Sequence, residues 1–356
     1  MPVGEIAHQF FVLGNARKDY SVDLLQQVSE HAKTSEAERK YILFTGNNIK
    51  TKKKDTINMA SQLDPQIAAV RSSGAKGFFM PGRHDWKFGH TEGLEKIEEY
   101  LEDKLGGDEL LTPNNGCAME SVDINDQVHL LVIDSQWFIE NWDRLPQIND
   151  KCAIKSREKL FLEVEGEVKK NADKLLIVAM YHPMFTNGFY GGKFSSRDHL
   201  FPLQGNIPLP GVASLITQIR SQGGISVQDR FNKKYNELMS RLNDILNVDD
   251  QRILLVSGHE NNLQYIEEEN IKQLISHAAG RTTPATVSDN GLFSYGKTGY
   301  ATVDLRTDGS VWTSFYAAEN TSEALFTTEV YPPIPSVKVE HLPEQFPATY
   351  KASVYK

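Results

Sequence analysis

Three polar side chains in a row, Arg83, His84 and Asp85, follow an apolar run that stops at Pro81-Gly82 in FFMPGRHDW (78–86). A guanidinium pairs with an oxyanion and an imidazole moves a proton. A buried strand that ends in a Pro-Gly turn and then presents charge is how an α/β protein lifts such groups to the edge of its sheet. Four further stretches repeat the pattern: HQFFVLGNAR (8–17), KYILFTGNNIK (40–50), KLLIVAMYHPMF (174–185) and RILLVSGHENNLQ (252–264). Each is an apolar run of strand length that ends in Gly, Asn, His or Pro. Such runs in one chain predict sheets whose strand ends converge on a single polar site.

The elements between them must position that site. Residues 22–33 carry an apolar stripe at helical spacing (Val22, Leu25, Val28), which predicts a crossover helix between parallel strands. Covering helices are expected over 57–73, 92–105 and 155–170, and another over 229–246. In 92–105 Leu94, Ile97, Leu101 and Leu105 share one face, as a core-packing helix requires. The run VHLLVIDSQWF (128–138) reads as a central strand, with Asp134 bonding the neighbouring turn. Residues 186–230 form a Gly/Pro/aromatic insertion too long for a simple crossover. Hairpin patterns occupy 263–276 and 299–316, the second turning at Asp308-Gly309. A single domain is assigned to 1–320, and the Pro-rich stretch 321–356 reads as an extended tail or linker.

In order and wording the motifs resemble the calcineurin-like metallophosphoesterases, in particular the purple-acid-phosphatase-like branch of bacterial envelope proteins of the Bacteroidetes type. That branch reads GD-x-G, GDN-x-Y, GNHDW, HHP or HYP, and GH-x-HN; the words here are GNAR, GNNIK, GRHDW, YHP and GHENN. DSQWF (134–138), GGKF (191–194) and LQY (263–265) match as well, so the resemblance spans roughly 8–316. It implies a four-layer αββα sandwich: two mixed β-sheets flanked by helices. It also implies a dinuclear Fe, Zn or Mn centre held by carboxylates, an Asn, a Tyr and three His.

The departures fall on that centre. Mapped motif by motif, the degenerate metal-site positions are Asn15, Asn47, Lys50, Arg83, Tyr181 and Asn261, and His259 alone survives as a ligand. His84 keeps the role of acid or phosphate contact, so His84 and His259 are the vestigial catalytic residues. Two Asp-to-Asn changes remove negative charge that would offset the metals. Arg83 has no lone pair to give and stays protonated. The expectation is no metal cofactor and no metal-activated hydroxide.

Composition bounds the function classes. The net charge of −9 argues against a general nucleic-acid or anionic-membrane binder. No apolar run is long enough for a membrane span, and the N-terminus lacks a signal-peptide pattern. The basic cluster Lys50, Lys52, Lys53 and Lys54 reads as a solvated loop or an anion-attracting rim. Two cysteines are also an ordinary count for a reduced protein. The resembling branch, however, carries a GC word and a lone Cys at the places of Cys117 and Cys152, which implies a disulfide and a periplasmic or cell-surface, outer-membrane-associated location; cytoplasmic is the alternative.

The resulting expectation is a catalytically inactive, pseudophosphatase domain with a binding or structural role among protein partners in the cell envelope, attached to or associated with an outer-membrane barrel. The alternatives are a phosphoesterase working with a reduced metal site, and an anion-binding module using Arg83, His84 and His182.

Overall fold

The computed structural model describes residues 4–17, 21–51, 55–107, 110–202, 206–288 and 290–335. The chain opens as alternating strands and helices: β1 (Ile6–Leu13), α1 (Val22–Thr34), β2 (Arg39–Phe44), α2 (Thr56–Ser73), β3 (Lys76–Phe79) and α3 (Arg83–Leu105). The three strands pair in parallel in the order β1-β2-β3, which the intervening helices permit. A second run gives β4 (Met119–Asp123), β5 (Val128–Ile133), α4 (Ser135–Ile139), α5 (Arg157–Lys170) and β6 (Leu175–Met180). Then come α6 (Ser196–Leu200), α7 (Pro210–Gln222), α8 (Lys233–Leu246), β7 (Ile253–Ser257), β8 (Leu263–Glu268) and β9 (Ile271–Ser276). Antiparallel strands close the chain: β10 (Gly291–Tyr295), β11 (Gly299–Arg306), β12 (Val311–Ala317) and β13 (Phe326–Tyr331).

Two mixed sheets result, one of six strands in the order β13-β12-β11-β1-β2-β3 and one of seven in the order β10-β8-β9-β7-β6-β5-β4. Residue alternation explains why the inner stretches of the motif strands are apolar. Phe10, Val12, Leu43 and Phe78 meet Leu130, Val132, Ile177 and Val256 between the sheets. Phe11, Leu13, Phe44 and Phe79 join the core that contains the buried residues of α1, α2 and α3, while Leu131, Ile133 and Val178 join those of α5 and α8. A strand buried on both faces favours apolar residues on both, and the buried Gln9 of β1 is satisfied by donating to Asp304 Oδ1 at 2.8 Å. The architecture is the expected four-layer sandwich of two mixed sheets between helices.

Local chemistry sets the ends of the helices. Asp55 caps α2 by accepting from Asn58 N at 3.1 Å, and Gly74 ends it at φ 69°. Ser156 caps α5 by accepting from Lys159 N. The helix expected from 92 begins earlier, at Arg83, and breaks at Gly89–His90, where His90 has φ 55°. Leu94, Ile97 and Leu101 face the core as expected. Cys117 and Cys152 are disulfide-bonded across a separation of 35 residues.

Two expectations need revision. Within the stretch read as an extended tail, Phe326–Tyr331 is a strand on the sheet edge, paired antiparallel with β12; residues 336–356 lie outside the described ones. Its alternating burial, with only Val330 fully buried, is that of an edge strand with one neighbour. The insertion 186–230 contains α6 and the 13-residue α7. No helix among the described residues is long and apolar enough to cross a membrane.

Candidate functional site

The motif strands run parallel within each sheet, so their C-terminal ends leave at one edge. At three of them the chain turns through Gly followed by a residue in the left-handed region: Asn15 (φ 60°) after β1, Asn47 (φ 56°) after β2 and His259 (φ 65°) after β7. Each such residue costs about 1–2 kcal/mol of backbone energy, least for Asn, whose short side chain tolerates this region. Asn at 15 and 47 therefore suits the turn while carrying no charge. Gly82 is required sterically, since a Cβ there would lie 2.6 Å from Asn47 N and 2.9 Å from the Tyr181 ring.

Cross-ties bring the two sheets together at this edge. Thr45 donates from its hydroxyl to Ser276 O at 2.7 Å, and Ser276 donates from its hydroxyl to Val12 O at 2.7 Å. Ala279 N donates to Gly14 O at 3.2 Å. Asp85, fully buried in the first turn of α3, links the turns after β2 and β3. It accepts from Gly82 N at 2.7 Å, Ile49 N at 2.9 Å and Asn48 N at 3.3 Å. Burial pushes its carboxyl up to about 6 against the pull of these bonds.

The expected site residues do converge. Asn15 Nδ2 donates to Asn261 Oδ1 at 3.1 Å. Asn47 uses every polar atom of its side chain: Nδ2 donates to the Tyr181 hydroxyl at 2.8 Å and to His277 Nε2 at 3.2 Å, and Oδ1 accepts from His84 N at 2.9 Å. The Tyr181 ring is buried and packs on the rings of His182, His259 and His277 at 4.8, 5.1 and 5.5 Å. His259 donates from Nε2 to Gln228 O at 2.9 Å, so the proton sits on Nε2, and its buried Nδ1 has no partner among the described residues. His182 lies deeper than an anion contact requires, with Nδ1 2.8 Å from the Ser135 hydroxyl and Nε2 3.1 Å from Gln228 Oε1. Lys50 is exposed, and its amide donates to Gln62 Oε1; Lys52, Lys53 and Lys54 lie outside the described residues.

The electrostatics are those of neutral imidazoles among cations. Burial, reinforced by Arg17, Lys50, Lys87 and Arg83, holds His84 down at about 3. Burial alone is the main cause of the drop of His182 to about 3, and it pushes His259 and His277 well below the usual histidine range. Burial raises the Tyr181 phenol.

These donors do not fit a dinuclear metal centre. The positions that would supply anionic oxygen carry the amides of Asn15 and Asn47 and the ammonium of Lys50, while a guanidinium, Arg83, stands at the Asn position and a phenol pushed toward its neutral form, Tyr181, at a His position. Among the described residues no group of three or more His, Cys, Asp or Glu side chains is arranged to hold a metal ion. Divalent cations need such donors to offset their charge.

Several site residues were not singled out in the sequence. His277 follows β9 in no motif word, yet it accepts from Asn47. Gln228, at the end of the insertion, binds both His182 and His259. Arg17, the last letter of GNAR, lies within electrostatic reach of Asp85, Tyr181 and Arg281. Its signal was available, since GD-x-G ends in Gly.

No protein-family model matches the sequence, and neither does any curated protein. Solved structures do. The chain is similar to GAP50, the anchor in the inner membrane complex of Plasmodium, with a TM-score of 0.60 and 15% identity, covering 92% of this chain and 89% of that one. A dimetal phosphatase from Danio rerio is similar at a TM-score of 0.56 and 10% identity, covering 92% and 99%. The purple acid phosphatase PPD1 of yellow lupin is similar at a TM-score of 0.53 and 10% identity, covering 95% of this chain and 58% of that one.

Proposed function

From the calcineurin-like phosphoesterase fold that these likenesses share, we propose that the chain is a non-hydrolytic, pseudophosphatase domain with a binding or structural role toward protein partners in the bacterial cell envelope. One observation carries the reading. Asn47, Tyr181 and His277, at the convergence of the strand ends, spend their polar atoms on one another. A phosphoesterase of this fold needs a metal to bring its water from a pKa of 15.7 toward about 7, and neither amide nor phenol replaces that function. His84 and Arg83 would stabilise a bound anion more readily than generate hydroxide.

Two observations support the rest. GAP50, similar over nearly the whole chain, is an anchor by description, so a fold-mate already serves as an attachment. The Cys117–Cys152 bond suits an oxidising compartment, hence the periplasm or cell surface. Attachment to or association with an outer-membrane barrel belongs to the same proposal.

The test is turnover of p-nitrophenyl phosphate and its diester with Zn, Mn or Fe added. None is expected above a buffer control. Turnover by the wild type that His84→Ala abolishes would overturn the reading.

A further inference from the structure

Cations outnumber carboxylates at the site edge, where Asp85 lies within electrostatic reach of Arg17. Arg17 ends the first motif loop and Arg83 opens α3; neither has an ion pair among the described residues. Arg17 Nη1 is buried without a hydrogen-bond partner among the described residues. A buried, unpartnered guanidinium N–H forfeits a charge-assisted bond of about 1.5–3 kcal/mol unless a ligand supplies the acceptor. The nearby carboxylate cannot do so, because Asp85 gives its oxygens to the amides of Gly82, Ile49 and Asn48. Lys50, Arg83 and Arg17 all bear electrostatically on His84, and Arg281 bears on Arg17. The His84 ring, half-buried within their electrostatic reach, makes no hydrogen bond among the described residues.

We infer that Arg17 and Arg83, with Lys50 and the neutral His84 ring beside them, hold a small oxyanion directly, by guanidinium bonds with no metal between. The inference rests on the non-hydrolytic reading of the same site and names what that site takes. Arg17, absent from the sequence expectation, enters the set; His182 leaves it, because both its ring nitrogens already have partners. Free phosphate or sulfate and the phosphoryl end of a larger molecule share the required chemistry: two or three acceptor oxygens and a negative charge. Guanidinium forks match that geometry. No bond is made or broken.

Calorimetric titration of the full chain with inorganic phosphate, sulfate and phenylphosphonate, at low and raised salt, tests it. Phenylphosphonate cannot be hydrolysed at its P–C bond, so its binding is independent of turnover. Saturable binding is expected, weaker at higher salt, and reduced at least about tenfold by Arg17→Ala and by Arg83→Gln, with Arg17→Lys in between. Phenylphosphonate binding tighter than phosphate supports a phosphoryl group on a larger ligand; equal affinity supports the free anion. Lys297→Ala, whose ammonium pairs with Glu319 far along the chain, should bind as the wild type does. Should Arg17→Ala misfold by circular dichroism, half-exposed Arg83→Gln carries the test. No saturable binding up to about 10 mM, or affinity unchanged in Arg83→Gln, overturns the inference. Absent binding with absent turnover leaves the pseudophosphatase reading standing, whereas metal-dependent turnover overturns that reading whatever binds.

Discussion

Replacing His182 by Gln should remove one identifiable part of the pH dependence of stability. The imidazole is fully buried between the Ser135 hydroxyl at 2.8 Å and Gln228 Oε1 at 3.1 Å. Burial holds its pKa at about 3, below the ordinary 6.5. The folded state therefore refuses a proton that the unfolded chain accepts. The stability contributed is complete above about pH 6.5 and is lost as pH falls toward about 3. At about pH 5 the unfolded histidine lies roughly 1.5 units below its pKa, each unit worth about 1.4 kcal/mol, so the wild type loses about 2 kcal/mol through this residue. Other buried histidines and carboxylates titrate in both proteins, so most of their effect cancels in the difference. Guanidinium unfolding read by the fluorescence of the buried Trp86 and Trp137 measures it. At about pH 7.5 the variant should be less stable by about 1–3 kcal/mol, having disturbed the bonds to Ser135 and Gln228. By about pH 5 the gap should narrow by about 2 kcal/mol. A gap that is the same at both values, within about 0.5 kcal/mol, refutes the reasoning.

Three further outcomes are expected. Opening the Cys117–Cys152 bond by a double Ser substitution frees a 35-residue loop and should cost about 3–4 kcal/mol on the chain-entropy estimate, seen as a lower calorimetric melting temperature; a loss under about 1 kcal/mol argues against it. Tyr181→Ala empties the space between three histidine rings and strips Asn47 of an acceptor, for about 3–5 kcal/mol by denaturant unfolding, and unchanged stability would mean the ring is dispensable. Joint restoration of Asn15→Asp, Asn47→Asp, Arg83→Asn, Tyr181→His and Asn261→His, with Arg17→Gly to lift one further cation, should give stoichiometric Zn by elemental analysis. A metal-free product that melts like the wild type would show that the motif positions do not align as ligands.

The strand cores were legible because a strand buried on both faces is largely apolar, as residues 10–13 of β1, 41–44 of β2, 175–180 of β6 and 253–256 of β7 are. The convergence of Asn15, Asn47, Tyr181 and His259 followed from parallel strands ending at one edge. Strand β13 was not legible: FTTEVY buries Val330 and leaves its neighbours partly open, a pattern that prolines just beyond it disguise as a tail. His277 and Gln228 enter the site only through tertiary placement, one at a strand end without a motif and the other at the close of a long insertion. Arg17 is a different case, since its departure from the motif stood in the sequence but its burial did not.

The cross-ties between the sheets bear on how the site moves. Asn15 N bonds Gly46 O, Ala279 N bonds Gly14 O and Gly258 N bonds Tyr181 O, so amides of turns from both sheets are locked at one place. Of these, Ala279 N to Gly14 O spans the two sheets, while the other two tie neighbouring strand ends within one sheet. Slow amide hydrogen exchange is expected at these turns, and exchange rates read by mass spectrometry would check it. An enzyme usually draws its substrate-handling loops from the opposite end of that scale. Turns tied in this way are suited to holding still, whether what they hold is a surface or an ion.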